Sequence, residues 1–239
     1  MFLNKIIEQV KTKNKYTTMK REPFFDFAAK YLPTKKDSTV LDLGCGDNRF
    51  SEYLNLSEKY EKNLWLLDGN GEAIKKNDKK YKNIKRYIAP NRIDFKDNEV
   101  DYVHCSHLIE HLNVNDFLLL IDELIRILKP GGILVISTPI DWELFYGDFS
   151  HVRPYPEIGL YTYLINGGPN RTINSKERFI VLGSINRYYN YGKYVKIGSE
   201  NIIVEICIRL IRKIKKILKI KYYKVNGYSM ALRLKKKWK

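Results

Sequence analysis

Short apolar runs alternate along the first 140 positions with segments whose apolar residues recur at helical spacing. "STVLDLG" predicts a first strand that leaves through glycines, and Phe50 to Tyr60 predicts a helix behind it. "NLWLLD" predicts a second strand, stopped by "GNG"; Glu72 to Tyr81 is helical in composition, and "IKRYI" is a short third strand. "NEVDYVHCS" predicts a fourth strand, entered through the polar turn "KDN". "NVNDFLLLIDELIRILK" is a helix behind an Asn cap that ends before "PGG", and "GILVIST" is a fully apolar fifth strand. "GYSMALRLKKK" is the last strand. Strands that alternate with helices predict a parallel sheet with helices on both faces. There is no internal repeat and no low-complexity linker.

A second periodic stretch, "NIIVEICIRLIRKIKKILKIKYYK", precedes the last strand. At about 100° per residue, Ile203, Ile206, Cys207, Leu210, Ile211, Ile214, Ile217 and Leu218 fall on one face. Glu205, Arg209, Arg212, Lys213, Lys215, Lys216 and Lys219 fall on the other. The pattern fits a basic amphipathic helix at a membrane interface, or a helix packed on the sheet with its basic face in water.

The 239 residues are 44% hydrophobic and 13% aromatic, enough for one sizeable core and one domain with additions. The net charge of +16 is confined to the ends. Residues 200–239 carry 13 Lys/Arg against two acids, residues 1–40 carry nine against four, and the stretch between carries 21 of each. A neutral middle with basic ends predicts a catalytic core whose ends meet an anionic partner. No apolar run approaches the roughly 18–20 residues of a membrane-spanning helix. Charges stand in the N-terminal stretch where a signal peptide has its apolar core. Cys45, Cys105 and Cys207 are odd in number and widely spaced, which fits a reducing cytoplasm. No His, Cys or Asp spacing argues for a metal, so none is expected.

These bounds sharpen the question of the first glycine turn, "VLDLGCGDNRF". In a doubly wound sheet the ligand lies beyond the carboxyl ends of the strands. Gly44 and Gly46 would let the backbone approach it closely and adopt positive φ; an ordinary strand-to-helix turn is the plain alternative. A dinucleotide fingerprint would need glycine at Arg49, and a phosphate loop GxxxxGK[ST] is absent. Asp68 ends the second strand 22 residues after Gly46, where an acid can accept both hydroxyls of a ribose. Asp42, Gly44, Gly46 and Asp68 together indicate a nucleoside without a phosphate bridge.

"VLDLGCGDN", "WLLDGN", "IDFKDNEVDYVHCSHLIEHL" and "ELIRILKPGGILVISTP", in that order over residues 38–140, resemble the class I S-adenosylmethionine-dependent methyltransferases, and among them the type-11 group. The resemblance implies a Rossmann-like α/β fold with seven strands, helices on both faces and an antiparallel last strand. It implies that Gly44, Cys45 and Gly46 wrap the methionine part of S-adenosylmethionine. Asp42 and the carbonyls of Cys105 and Ser106 would hold its amino group, and Asp68, followed by Gly69, its ribose. Asn48 stands where the family has a third glycine, and Asn tolerates left-handed backbone better than most residues. "IAPNR" replaces the acid that often meets the adenine amine, which leaves that contact to the backbone of Ala89 or to Asn91.

Methyl transfer from a sulfonium is an in-line displacement, so the protein mainly positions the acceptor and excludes water. An oxygen acceptor also gains from a base. His104, His107 and His111 lie near the expected ligand edge; Glu110 and His111 belong to the family's "EHL" block and fit a capping role as well. "HVRPY", just after the fifth strand, resembles a block of members associated with glycan and cell-envelope pathways. It makes His151 the candidate base and Arg153 the group that holds an acidic part of the acceptor; a structural clamp with Asp148 is the alternative. The expectation is therefore methyl transfer to a small-molecule, glycan or lipid-linked acceptor by a cytoplasmic enzyme that is peripheral on anionic membrane. Residues 1–38 would form a helical N-terminal lid, and residues 39–239 the methyltransferase domain, with the basic helix inserted at about 200–221. An RNA methyltransferase that binds nucleic acid through the basic C-terminal region competes, since Tyr222, Tyr223 and Tyr228 interleave with lysines. A non-catalytic scaffold would lack cofactor affinity.

Overall fold

A computed structural model describes residues 20–142, 144–166, 178–190 and 223–236, together with Ile203, Ile206, Cys207, Leu210, Lys213 and Ile214. Residues 1–19, half of the N-terminal segment expected as a lid, lie outside the described residues.

The strands are β1 (Val40–Leu43), β2 (Leu64–Asp68), β3 (Asn83–Arg86), β4 (Val100–Ser106), β5 (Leu128–Pro139), β6 (Phe179–Asn190) and β7 (Tyr223–Leu234). They form one sheet in the order β3-β2-β1-β4-β5-β7-β6. β1 to β5 pair in parallel, and β7 runs antiparallel to both β5 and β6. All four residues of β1 are buried, as a strand covered on both faces requires. Chain order reverses direction in the sheet at β1 and β4, which places the ligand crevice at their carboxyl ends.

The helices are α1 (Glu22–Ala29), α2 (Arg49–Tyr53), α3 (Leu56–Tyr60), α4 (Gly71–Asn77), α5 (Val114–Ile127) and α6 (Glu157–Tyr161). Two differ from the sequence pattern. The helix expected over Phe50 to Tyr60 is split at Asn55, whose φ of 49° is left-handed and ends the first turn. The helix expected to run to Tyr81 stops at Asn77, whose side-chain amide donates to the Ala73 carbonyl. α5 follows its pattern: Asn113 caps it by accepting the Asp116 N–H at 3.0 Å. Phe117, Leu120, Ile121, Leu124 and Ile127 form its buried stripe. Each such side chain contributes about 1.5–3 kcal/mol on burial.

α1 packs into the opposite layer through Phe24, Phe25, Phe27 and Ala28, all buried. The Tyr102 hydroxyl donates to the Ala28 carbonyl at 3.0 Å, which ties the helix to β4. Between β6 and β7, Ile203, Ile206, Cys207, Leu210, Lys213 and Ile214 are helical and exposed. Ile206, Leu210 and Ile214, on the apolar face read from the sequence, are 52, 54 and 53% exposed, so at these positions the apolar stripe faces water.

Candidate cofactor and acceptor site

β1 leaves the sheet at Leu43, and the next two amides turn back at once: Gly44 and Cys45 both donate to the Leu67 carbonyl, at 2.8 and 3.1 Å. Gly44 has φ +78°. A Cβ there would stand 3.2 Å from the Ser106 carbonyl oxygen and 3.3 Å from Leu108, so the turn passes tightly against the end of β4. Gly46 has φ +53°, and a Cβ there would meet nothing within 4 Å, so free space opens on its side. Asn48, at the third position of the turn, has φ 60°.

Asp68, at the end of β2, holds this turn. One carboxylate oxygen accepts the Gly46 N–H and the other accepts the Asn70 N–H, each at 2.7 Å. Asn70 in turn caps α4 by accepting from Glu72 and Ala73. Gly69, Asn70 and Arg86 border an open hollow of about 620 Å³ outside this second turn. Each Asp68 oxygen keeps a lone pair for a further donor, as two vicinal hydroxyls would supply.

Asp42 is buried, and His104 Nδ1 lies 2.8 Å from one of its oxygens. The His104 ring stacks on Phe50 with centroids 3.7 Å apart. The other Asp42 oxygen, His104 Nε2 and both polar atoms of the Asn48 amide are buried with no hydrogen-bond partner among the described residues. Buried polar groups are ordinarily satisfied, and these cluster around the glycine turn. A carboxylate and an amide left unpaired fit a ligand that carries an ammonium and a carboxylate, as S-adenosylmethionine does. Sequence reasoning assigned Asp42 to that ammonium but missed its pairing with His104; the two residues are 62 positions apart, brought side by side by the β1–β4 register. Cys45 and Cys105 offer no competing nucleophile. Burial, reinforced by neighbouring carboxylates, pushes both thiols far up, so neither is a thiolate at neutral pH.

The segment expected to meet adenine follows β3. The Tyr87 amide donates to the Asp68 carbonyl at 2.9 Å, and the Tyr87 hydroxyl donates to the Asn91 carbonyl at 2.7 Å. Ala89 is half-buried and Asn91 exposed. Arg126 of α5 holds the rest of this loop: its guanidinium donates to the Ile93 and Phe95 carbonyls and to Glu123 and Asp97. Glu123 also accepts the Ile93 N–H at 2.6 Å. Burial works against the Glu123 charge, but the hydrogen bonds from Arg126 and Ile93 win and hold its carboxyl below the usual range. Its stabilising contribution is therefore present above the usual carboxylate range and is lost as pH falls through the lowered value. Arg126→Ala is expected to cost about 2–3 kcal/mol of stability, the order for hydrogen bonds to a charged group. Urea unfolding measures it, and a change below 0.5 kcal/mol, the ordinary ~0.5 kcal/mol scatter of surface changes, would remove Arg126 as the clamp of this loop.

On the side expected to meet the acceptor, the loops after β4 and β5 come together. Glu110 is fully buried. Its carboxylate accepts the Thr138 hydroxyl at 3.1 Å, and the other oxygen lies 3.1 Å from His107 Nδ1. Burial pushes the Glu110 carboxyl up, but the His107 contact outweighs this and keeps it ionised. Burial holds the His107 imidazole itself in the neutral form. The Glu110 backbone carbonyl accepts the Val152 N–H at 2.8 Å and the Arg153 N–H at 3.3 Å, which stitches the "HVRPY" loop to the "EHL" segment.

This stitching brings His111 and His151 together, with ring centroids 5.0 Å apart. His111 Nδ1 lies 3.0 Å from the Ser150 carbonyl and His151 Nδ1 2.6 Å from the Phe145 carbonyl. A carbonyl can only accept, so each ring carries its proton on Nδ1 and presents the lone pair of Nε2. Arg153 is exposed, with its guanidinium 5.1 Å from the centre of the Tyr155 ring. Two further arginines went unnoticed in the sequence. Arg187 of β6 is 4% exposed, donates to Asn226 at 2.9 Å and lies over the Phe24 ring. Burial, and next the charge of Arg21, lower its pKa to about 10, and both arginines feel the Glu110 carboxylate. They come from opposite ends of the chain, and no local pattern could have placed them beside Glu110.

A family model described as a methyltransferase domain matches residues 16–158. Three curated relatives are similar over shorter stretches. An uncharacterised protein of Methanocaldococcus jannaschii is 36% identical over 109 residues, 45% of this chain and 43% of that protein. Phosphoethanolamine N-methyltransferase 1 of Triticum aestivum is 35% identical over 112 residues, 44% and 22% of the two chains. Demethylmenaquinone methyltransferase of Staphylococcus carnosus is 30% identical over 110 residues, 44% and 45%. The matched stretches thus span less than half the length of these relatives. Among solved structures, an S-adenosylmethionine-dependent methyltransferase from Archaeoglobus fulgidus shares the fold at 22% identity with a TM-score of 0.60, covering 90% of this chain and 94% of its own.

Proposed function

The chain belongs to the methyltransferase-domain family, and on that premise we propose that it transfers the methyl group of S-adenosylmethionine to a glycan or lipid-linked acceptor. The observation that carries the cofactor part is the Asp68 carboxylate, which bridges Gly46 and Asn70 at the carboxyl ends of the central strands. The cofactor supplies an electrophilic methyl on a sulfonium. Gly44, Cys45 and Gly46 shape the methionine side, with the buried Asp42 and the Ser106 carbonyl beside them. Asp68 offers acceptor atoms to the ribose, and the Tyr87–Asn91 loop borders the adenine.

The acceptor side falls to the two imidazoles and the arginines. Nε2 of His151 and of His111 point lone pairs away from their carbonyl anchors, which suits a proton acceptor or an orienting group. Arg153, fixed over Tyr155, and the buried Arg187 favour an acceptor that carries an acidic group. Calorimetric titration with S-adenosylhomocysteine tests the cofactor reading. Incubation with labelled S-adenosylmethionine and a cell extract split into lipid, glycan and RNA fractions tests the acceptor.

The exposed stripe of Ile206, Leu210 and Ile214 supports membrane docking of the same enzyme. In sequence this stretch also carries six Lys/Arg between Arg209 and Lys219. An apolar stripe beside lysines is complementary to an anionic bilayer surface, at about 1 kcal/mol per basic residue engaged. No helix among the described residues is long and apolar enough to cross a membrane. The expected result is co-sedimentation with phosphatidylserine-containing vesicles but not with neutral ones, weakened by salt. Binding is expected to be lost when Lys213, Lys215, Lys216 and Lys219 are changed to Glu. Salt-sensitive RNA binding with no vesicle binding would instead make RNA the acceptor.

A further inference from the structure

We propose that Glu110, His111 and His151 form a binding site for a divalent transition-metal ion, whose open side faces the methyl acceptor. One ligand atom from each of the three residues lies within 4.8 Å of the other two. The ligand type follows from the hydrogen bonds behind the rings. Both imidazoles give their Nδ1 proton to backbone carbonyls, which leaves both Nε2 lone pairs free and fixes the rings. Metal-ligating histidines are held this way, with the second nitrogen donating to a carbonyl or carboxylate. Glu110 supplies a completely buried carboxylate, whose Oε1 lies 3.1 Å from His107 Nδ1 and whose Oε2 accepts the Thr138 hydroxyl. Each of these oxygens keeps a second lone pair that a cation can use.

The three residues are also held rigidly. The Val152 and Arg153 amides bind the Glu110 carbonyl, so the loop carrying His151 cannot drift from the segment carrying His111. Asp148 stands behind, one oxygen 3.9 Å from His151 Nε2, close enough to join as a further oxygen donor. Two imidazoles and a carboxylate suit Zn²⁺, Mn²⁺, Co²⁺ or Fe²⁺ better than Mg²⁺ or Ca²⁺, which prefer all-oxygen shells. Three protein ligands leave positions open, the arrangement of a catalytic rather than a structural ion.

This inference rests on the methyl-transfer reading and narrows it to an oxygen acceptor. A cation at this place acts as a Lewis acid on an acceptor hydroxyl and lowers its pKa. The hydroxyl gives its proton to solvent, its electron pair forms the new O–C bond, and the C–S bonding pair stays on sulfur. His111 and His151 are then ligands, and the acceptor needs no separate base.

The test uses the full chain with Cys207→Ser, which removes the exposed thiol as a competing ligand. After chelator treatment the protein is titrated with CoCl₂ and ZnCl₂, followed by visible absorption and calorimetry. The expected result is one equivalent bound with a cobalt d–d band. In His111→Asn and His151→Asn, binding should weaken by more than the roughly 10–100-fold that loss of an outer-shell partner costs. Affinity for S-adenosylhomocysteine is measured on every variant; its retention shows that the variant is folded and that the cofactor reading stands by itself. No saturable binding in the wild type, or binding unchanged in both single variants, overturns the metal site.

Discussion

His151→Ala is expected to lower methyl transfer by roughly 10²-fold or more while leaving affinity for S-adenosylhomocysteine near that of the parent. That loss is the order expected for removing a group that acts at the acceptor, whether it takes the proton itself or holds an ion that lowers the acceptor's pKa. The separation of the two effects comes from the geometry. His151 sits in the loop after β5. Its ring is anchored to Phe145 and the next two amides to Glu110, and none of the hydrogen bonds described for His151 reaches the glycine turn or Asp68. A purely structural clamp would behave differently. The bond from Nδ1 to the Phe145 carbonyl would be lost, stability would fall, and turnover at low temperature would hardly change. The measurement is transfer of labelled methyl into the active extract fraction, at saturating cofactor, beside calorimetric titration of the same preparation. Persistence of both turnover and affinity would reduce His151 to a brace of its loop.

The geometry of the glycine turn was largely legible in the sequence because its determinants are local. A glycine turn needs positive φ at fixed positions, and Gly44, Gly46 and Asn48 all adopt it. Asp68 is placed by the strand it ends, and strand β2 pairs with β1 in the register that brings the acid under Gly46. Strands β1, β2, β4 and β5 were equally visible, since buried strands read as apolar runs; β3, with sequence NIKR and no buried residue, gave a weaker signal. Less visible was β6. Its run Phe179–Asn190 mixes apolar, polar and aromatic residues, which gives neither strict alternation nor an apolar block. The pairing with β7 across the whole of that run is what makes it a strand.

The acceptor side was legible only in part, because it is assembled from distant segments. His111 and His151 are 40 positions apart, and no spacing rule for metal ligands spans that gap. The same holds for Glu110, which reads in sequence as a helix-capping acid. In the fold it becomes the node where His107, Thr138, Val152 and Arg153 converge. The basic helix shows a third kind of gap. Periodicity reveals that one face is apolar, but whether that face meets protein or water depends on the surroundings, and Ile206, Leu210 and Ile214 meet water.

Asp68→Ala is expected to weaken S-adenosylhomocysteine by roughly 5- to 150-fold, which corresponds to about 1–3 kcal/mol for unpairing hydrogen-bonded groups. Two losses combine. The ribose loses its carboxylate acceptor, and the Gly46 and Asn70 amides lose theirs, so the two turns that flank the cofactor are no longer bound to each other. Asp68→Asn separates the two. An amide keeps one acceptor oxygen, enough for one of the two backbone N–H groups, but its NH₂ faces the other as donor against donor. Affinity should therefore fall in the asparagine variant as well, by less than in the alanine variant if turn geometry matters beyond the ribose contact. Gly44→Ala provides the independent check on the turn, because its Cβ would press on the Ser106 carbonyl at 3.2 Å with φ held at +78°. If calorimetry finds the parent affinity in Asp68→Ala, the carboxylate is a brace of the turns alone, and the ribose is held elsewhere in the crevice.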